Sequence, residues 1–270
     1  LKPPLIDIHH HILPGVDDGA VDLDMTRGML HKAVEDGVQT LVLTPHLYEP
    51  DIVGGTEPWR EKTKKAFDLT QELVQKENIP LELKLAAEVR YQDTLFFLLE
   101  ELPLLIGDRY LLLEFAFHYV PLNVEQPIRS LLDRGVIPII AHPERIKPWR
   151  KNPEQLATLI NLGCLCQVDI GSLLGTLGER SKRQAEYLLE EGAVHLLGSD
   201  SHNLSSRPVC AREGFEWIVR EFDTELAKLL LHENPMKLLR GEIIYPDGVQ
   251  LSKPTPSLRE KMRKWIFFNS

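Results

Sequence analysis

Histidines and carboxylates recur at the ends of short apolar runs in this 270-residue chain. LIDIH closes on His9, with His11 just beyond it, and TLVLT leads through Pro45 to His46. LKLAAE closes on Glu88, YLLLE on Glu114, IPIIAH on His142 and HLLGSD on Asp200, with His202 two residues on. A seventh run, LCQVDIGS, offers only Asp169. Together these ends supply more donors than one ion can use, and mixed imidazole and carboxylate ligands accept Mn, Fe, Zn or Co. Clustered ions of this kind activate water and neutralise charge on a phosphoryl or carbonyl oxygen, so the pattern reads as a multinuclear metallohydrolase.

In DIHHHILPG, strand alternation sends His9 and His11 to one face and His10 to the other. A lone histidine is usually structural, whereas two on one face can share an ion. Asp7, by the same alternation, falls with His9 and is placed to orient an imidazole. In the following loop, LPGVDDGA, acidic pairs often only cap a turn; beside the histidines, Asp18 is the expected ligand in preference to Asp17, because it adjoins Gly19. Glu88 and Glu114 end apolar strands, where an ionised carboxylate is costly unless a cation meets it. An arginine could be that cation, but coordination accounts for these two together with His46, His142 and His202. Arg145 follows His142 by three residues and Arg207 follows His202 by five. At such a mouth two guanidinium forks suit a phosphate dianion, with Arg90 as a further cation.

Side chains so far apart in sequence need a scaffold that gathers strand ends at one rim. Helical spacing of apolar residues predicts helices over 22–35, 59–77, 93–102, 124–134, 153–162 and 181–191, with glycines 37, 163 and 192 at their ends. Strands separated by single helices imply parallel pairing through right-handed crossovers. About seven such units make an α/β fold, a (β/α) barrel one unit short of eight, whose active face is the C-terminal rim. No linker splits it, so residues 1–245 read as one barrel domain and 246–270 as a proline-containing basic tail, in which LREKMRKWIFF reads as a short helix with an apolar face.

Composition narrows the partners. With 31 basic against 40 acidic residues, general nucleic-acid binding is disfavoured. Three cysteines, Cys164, Cys166 and Cys210, have no disulfide-scaffold or zinc-knuckle spacing, and none has an arginine six positions later as a cysteine-based phosphatase requires. No apolar stretch reaches the ~20 residues of a membrane span. A cytoplasmic protein is the expectation.

The motifs DIHHHILPGVDDGA, TPHL, AAEVRY, LLEF, AHPER and GSDSHN, in this order, resemble the polymerase-and-histidinol-phosphatase (PHP) metallophosphoesterases. They are most similar to the bacterial protein-tyrosine phosphatases of capsule and exopolysaccharide loci, over roughly residues 5–245. The resemblance implies a distorted (β/α)7 barrel, three divalent ions, often manganese, and dephosphorylation of the phosphorylated tail of a bacterial tyrosine autokinase that controls polysaccharide export. Carried over motif by motif, the ligands are His9, His11, Asp18, His46, Glu88, Glu114, His142, Asp200 and His202, with Arg145 and Arg207 on the phosphate. His10 departs from the family's small residue. The expected attacking group is a hydroxide bridging two ions, and His202 or a metal-bound water is the proton source. Two rivals keep the ligands: a small-molecule phosphatase of the histidinol phosphate type, differing in segment 47–60, and a metal-stabilised scaffold without turnover. An amidohydrolase is weaker, because Glu114 stands where a bridging lysine would be.

Overall fold

The structure, a computed structural model, describes residues 3–102 and 104–252. Its strands are β1 (Leu5–His10), β2 (Val38–Leu43), β3 (His46–Leu47), β4 (Glu82–Leu85), β5 (Glu88–Arg90), β6 (Tyr110–Glu114), β7 (Ile137–Ala141), β8 (Leu165–Asp169) and β9 (Leu196–Gly198). All the pairings between them are parallel, in the orders β1-β2-β4 and β3-β5-β6-β7-β8-β9. β2 and β3 form one line broken at Pro45, which has no N–H to donate into a ladder; β4 and β5 form the adjoining line. The break is stitched by Ala86 N–H to Leu43 O (2.9 Å) and Glu88 N–H to Pro45 O (3.1 Å). The two outer lines meet through a parallel bridge of His10 with Ser201, where His11 N–H donates to Ser201 O (2.9 Å) and Asp200 N–H to His9 O (3.0 Å). Seven strand lines thus close into a (β/α) barrel of the kind that the alternation of elements predicts, with the distortion that the family resemblance implies.

Helices Leu23–Glu35, Glu57–Lys76, Leu95–Glu101, Glu125–Asp133, Pro153–Leu162 and Glu179–Glu190 lie within two residues of their expected bounds. Asp22 caps the first, accepting from Met25 N–H at 2.8 Å, a contact of about 1 kcal/mol. Gly37 follows its end at φ +82°, a left-handed turn that glycine adopts without a Cβ clash. Sequence spacing does not anticipate helices Lys147–Lys151, Ile170–Leu174, Ala211–Glu221, Thr224–Lys228 and Asn234–Leu239, the last two joined by a π-helical turn over Leu229–Glu233. Residues 246–252 run along the barrel's outer helices: Asn161 exchanges two hydrogen bonds with Val249, and Tyr187 Oη donates to Ser252 O. The remainder of the expected basic tail, from Lys253 onward, lies outside the described residues.

Two apolar layers divide the molecule. Ile6, Ile8, Val42, Leu112, Ile139, Leu165 and Leu196 come from six strands and touch one another, which is possible only inside the ring. Ile106, Leu238 and Ile244 join them, and Tyr110 Oη donates to Glu242 O. This filled interior leaves the chemistry to the C-terminal rim. Outside the ring, Leu41, Leu43, Leu111, Leu113, Ile140 and Val168 pack against the helices.

Candidate metal centre at the barrel rim

A bulge in β1 decides which side chains enter the barrel. Asp7 lies opposite Leu41 and His10 opposite Leu43, so β1 holds one residue more than β2 over that interval. Such an insertion shifts the alternation by one. Leu41 and Leu43 face the helices, and so do Asp7 and His10; His9 follows Ile8 inward, and His11 joins it. The expectation that Asp7 shares the face of His9 is therefore corrected. Asp7 accepts instead from the main-chain N–H of His9 (3.3 Å) and Ser199 (3.1 Å), and burial pushes its carboxyl up to about 6. His10 is buried on the helix side, and burial with the neighbouring histidines holds it down to about 3.

Eight of the nine predicted ligands converge in three groups whose donor atoms lie within 4.8 Å of one another: His9, His11, Glu88 and Asp200; His11, Asp18, His46 and His202; and His46, Glu88 and Glu114. In the first, Glu88 Oε2 is 3.1 Å from His9 Nε2 and 3.3 Å from His11 Nε2, while Asp200 Oδ1 is 3.4 and 3.3 Å from the same nitrogens. In the second, Asp18 Oδ1 stands 3.4 Å from His46 Nε2 and 3.3 Å from His202 Nε2. In the third, His46 Nδ1 is 2.9 Å from Glu88 Oε2 and 4.0 Å from Glu114 Oε2. His142 lies outside these groups, but its Nε2 is 2.9 Å from Glu88 Oε1 and 3.9 Å from Glu114 Oε1. A neutral imidazole carries one lone pair, so His46 can serve only one of its two groups.

The donor set fits divalent cations. Buried Glu88 Oε2, Glu114 Oε2, Asp200 Oδ1, His46 Nδ1 and His202 Nε2 make no hydrogen bond within the described residues. Left so, each polar atom would carry a desolvation cost that a coordinated ion removes. Electrostatics point the same way. Burial alone would lower His9 and raise Glu88, yet Glu88 and Asp200 bring His9 up to about 9, and the histidines hold Glu88 well below its ordinary range. Burial likewise opposes a charge on His46, which Glu88 and Asp18 nonetheless carry to about 9. Protons here occupy places where cations fit.

Sequence reasoning missed the groups that aim two of these rings. Gln167 Oε1 is 2.8 Å from His9 Nδ1, and Asp17 Oδ2 is 2.8 Å from His11 Nδ1. Each fixes the ring's tautomer and leaves Nε2 for coordination. Asp17 also accepts from Gly19 N–H (3.0 Å) and His46 N–H (3.1 Å), tying the loop to the second strand line. Gln167, a polar residue inside the apolar run LCQVD, was a readable signal. His202 Nδ1 donates to Asp200 O (2.9 Å), and burial with His11 lowers its pKa, so its Nε2 lone pair is free. That state suits a ligand better than a proton donor. A Cβ on Gly19 would collide with the His11 carbonyl oxygen, so glycine is required for the loop to close over the histidines. His142 (φ +35°) and Asp200 (φ +49°) adopt left-handed backbone at their strand ends, a costly state found where surrounding structure enforces a site.

Both expected phosphate-binding arginines reach this rim. Arg145 Nη1 is 2.9 Å from Asp169 Oδ2 and 3.0 Å from Asp200 Oδ2, and Arg207 pairs with the same Asp200 oxygen. Asp169 thus anchors an arginine. Arg90 Nε is 3.1 Å from Glu114 Oε2. The three cysteines are buried and unpaired, and burial raises the Cys164 thiol to about 12, which leaves no reactive thiolate there.

Comparison with known proteins identifies the family. YwqE of Bacillus subtilis, a tyrosine-protein phosphatase, is 36% identical over 260 residues, 96% of this chain and 98% of its own length. CpsB of Streptococcus pneumoniae, also a tyrosine-protein phosphatase, is 31% identical over 247 residues, 89% of this chain and 100% of its own. A solved structure from work on these two, described as unique metal-dependent tyrosine phosphatases, superposes with a TM-score of 0.84 at 36% identity, covering 93% of this chain and 100% of that one. Because residues 5–240 also match the family described as capsular polysaccharide synthesis, CpsB/CapC, the chain belongs to the CpsB/CapC family.

Proposed function

We propose that this protein is a metal-dependent protein-tyrosine phosphatase acting in capsule or exopolysaccharide synthesis. The observation that carries the reading is the convergence of nine imidazole and carboxylate side chains with two tethered arginines at one barrel rim, in a chain 36% identical to a tyrosine-protein phosphatase along nearly its whole length. Three divalent ions, manganese first, fit the donors. His9, His11, Glu88 and Asp200 would hold one and Asp18, His46 and His202 another. Glu88, Glu114 and His142 would hold the third, because His46, with its one lone pair given to the second, has none left for it. When bound, such ions lower the pKa of a water and neutralise phosphoryl oxygens.

The chain's own residues do the rest. Arg145 and Arg207 bind the phosphoryl oxygens from two different loops, and Asp169 and Asp200 keep both guanidinium groups in place before substrate arrives. Such preorganised charge costs no reorganisation when negative charge develops. An extended phosphorylated tail of a tyrosine kinase fits a recessed rim better than a folded surface does, and this partner places the protein in the cytoplasm. No described helix is long and apolar enough to cross a membrane. The deciding measurement is kcat/KM of the manganese-loaded protein for matched phosphotyrosyl and phosphoseryl peptides and for histidinol phosphate. Phosphotyrosine should lead clearly; equal rates for the two peptides, or preference for histidinol phosphate, would reject the assignment.

A further inference from the structure

Immediately above the candidate ligands, four neighbouring strand lines present an alternation of aromatic and cationic side chains. Tyr48 stands two residues beyond His46 and Arg90 two beyond Glu88; Phe117 stands three beyond Glu114 and Arg145 three beyond His142. The Tyr48 ring stacks on the His46 imidazole at 4.7 Å and 26°, and the Arg90 guanidinium lies over the Tyr48 ring at 4.9 Å. Phe117 meets the His142 ring edge-on at 5.5 Å and 61°, and Arg145 lies over the Phe117 ring at 4.5 Å. Each aromatic side chain is thus a spacer between a candidate ligand and an arginine, and both are half-buried. Further out on the same arc, Val53, Tyr119 and Leu122 are 65% or more exposed. The loops after β1 and β9 carry Asp17, Asp18, Asn203 and Arg207 instead, so the two sides of the mouth differ in chemistry.

Height decides what this alternation can touch. Two residues of strand rise about 7 Å. A phosphate seated among the ligands therefore places its ester group at the level of Tyr48 and Phe117. In phosphoserine that level is reached by a methylene and main chain, whereas in phosphotyrosine it is filled by the phenyl ring. With the arginines over their faces, Tyr48 and Phe117 have their edges left to offer, and edge-to-face contact is a preferred aromatic geometry. We propose that Tyr48 and Phe117 are the aryl-specificity residues of this site, receiving the substrate's phenyl ring edge-on while their faces back the Arg90 and Arg145 guanidinium groups. The proposal rests on the phosphotyrosine reading above and adds the residues that enforce it.

Because phenolate leaves more readily than an alkoxide, rate alone cannot separate ring recognition from leaving-group chemistry. Non-hydrolysable phosphonates do. In the manganese-loaded protein, phenylphosphonate should inhibit about tenfold more tightly than methylphosphonate. Tyr48→Leu and Phe117→Leu should each reduce that ratio by about three- to tenfold, the scale of a lost aromatic pair. Tyr48→Phe should restore it. Metal content, measured alongside, shows whether His46 and His142 still coordinate; should the Leu variants lose metal, Tyr48→Phe and Phe117→Tyr must keep the wild-type ratio or the idea fails. Equal inhibition of the wild type by both phosphonates, or Leu variants that bind metal and keep the ratio, would overturn the proposal. The peptide comparison in wild type is independent: a chain that prefers phosphotyrosine yet shows no phosphonate selectivity keeps the function and loses this mechanism of selectivity.

Discussion

The inner and outer portions of the candidate centre are built to different specifications. His9, His11, Glu88 and Asp200 are all buried. Two of these rings are aimed by Gln167 and Asp17, and Asp200 is held by two arginines. The outer group shares His11 but depends on Asp18, whose side chain is 69% exposed and comes from a loop. Burial fixes geometry and excludes water, so an ion in the inner group would exchange only if this set opened. An ion in the outer group would be held by a solvated carboxylate and should exchange readily. A hydrolytic site benefits from both, since one portion must be rigid and the other must admit substrate and water.

Several measurements can break or sharpen this contrast. The largest effect belongs to Glu88, the carboxylate that stands between the groups. Glu88→Ala should abolish phosphatase activity and lower metal content, as should EDTA, with Mn²⁺ restoring only the chelated wild type. An active Glu88→Ala protein with full metal would remove the basis for a shared inner carboxylate. Next come the arginines: Arg145→Ala and Arg207→Ala should slow turnover by about 10²-fold, the scale for losing one charge-stabilising donor, with metal content near normal. Metal loss in these variants equal to that of His142→Ala would mean that they hold the ligands and not the phosphate.

Asp18→Ala tests the contrast directly. One ion per chain should be lost on dialysis while the inner ions stay, and activity should recover in part at raised Mn²⁺. Loss of all metal would show that the two portions are one cooperative unit. A smaller, graded effect comes from pH. Held at about 9 in the metal-free chain, His9 and His46 are protonated at neutral pH and must lose those protons to bind an ion. Affinity should therefore rise with pH up to about 9 and weaken below it, by about tenfold per unit for each proton displaced. Titration with Mn²⁺ in weak buffer should release protons, and no release would contradict the assignment of these two rings. The smallest effect is expected at the cysteines: replacing Cys164, Cys166 and Cys210 with Ser should leave the rate within a few fold. A folded but inactive triple variant would point to thiol chemistry.

Legibility in the sequence followed the range of the interaction. Helix bounds were readable because amphipathic spacing and glycine ends are local, as Leu23–Glu35 with Gly37 shows. The convergence of His46, Glu88, His142 and Asp200 could be inferred because a parallel α/β alternation has one rim for its strand ends. The helices between Ala211 and Leu239 escaped, though Asp223, which accepts from Leu226 N–H at 2.8 Å, is a recognisable cap.

The sequence by itself determined the donor inventory, the order of strands and helices, and the absence of a cysteine nucleophile motif, since these depend on residue type and short spacing. Tertiary structure alone decided which face each donor takes and what aims it. Asp7 and His9 obey alternation on paper, and a single bulged residue, set by how β1 must register against β2 and reach Ser201, sends one to the helices and the other to the candidate metal centre. Gln167 and Asp17 acquire their roles in the same way, because a hydrogen bond to His9 across 158 positions exists only after the barrel closes.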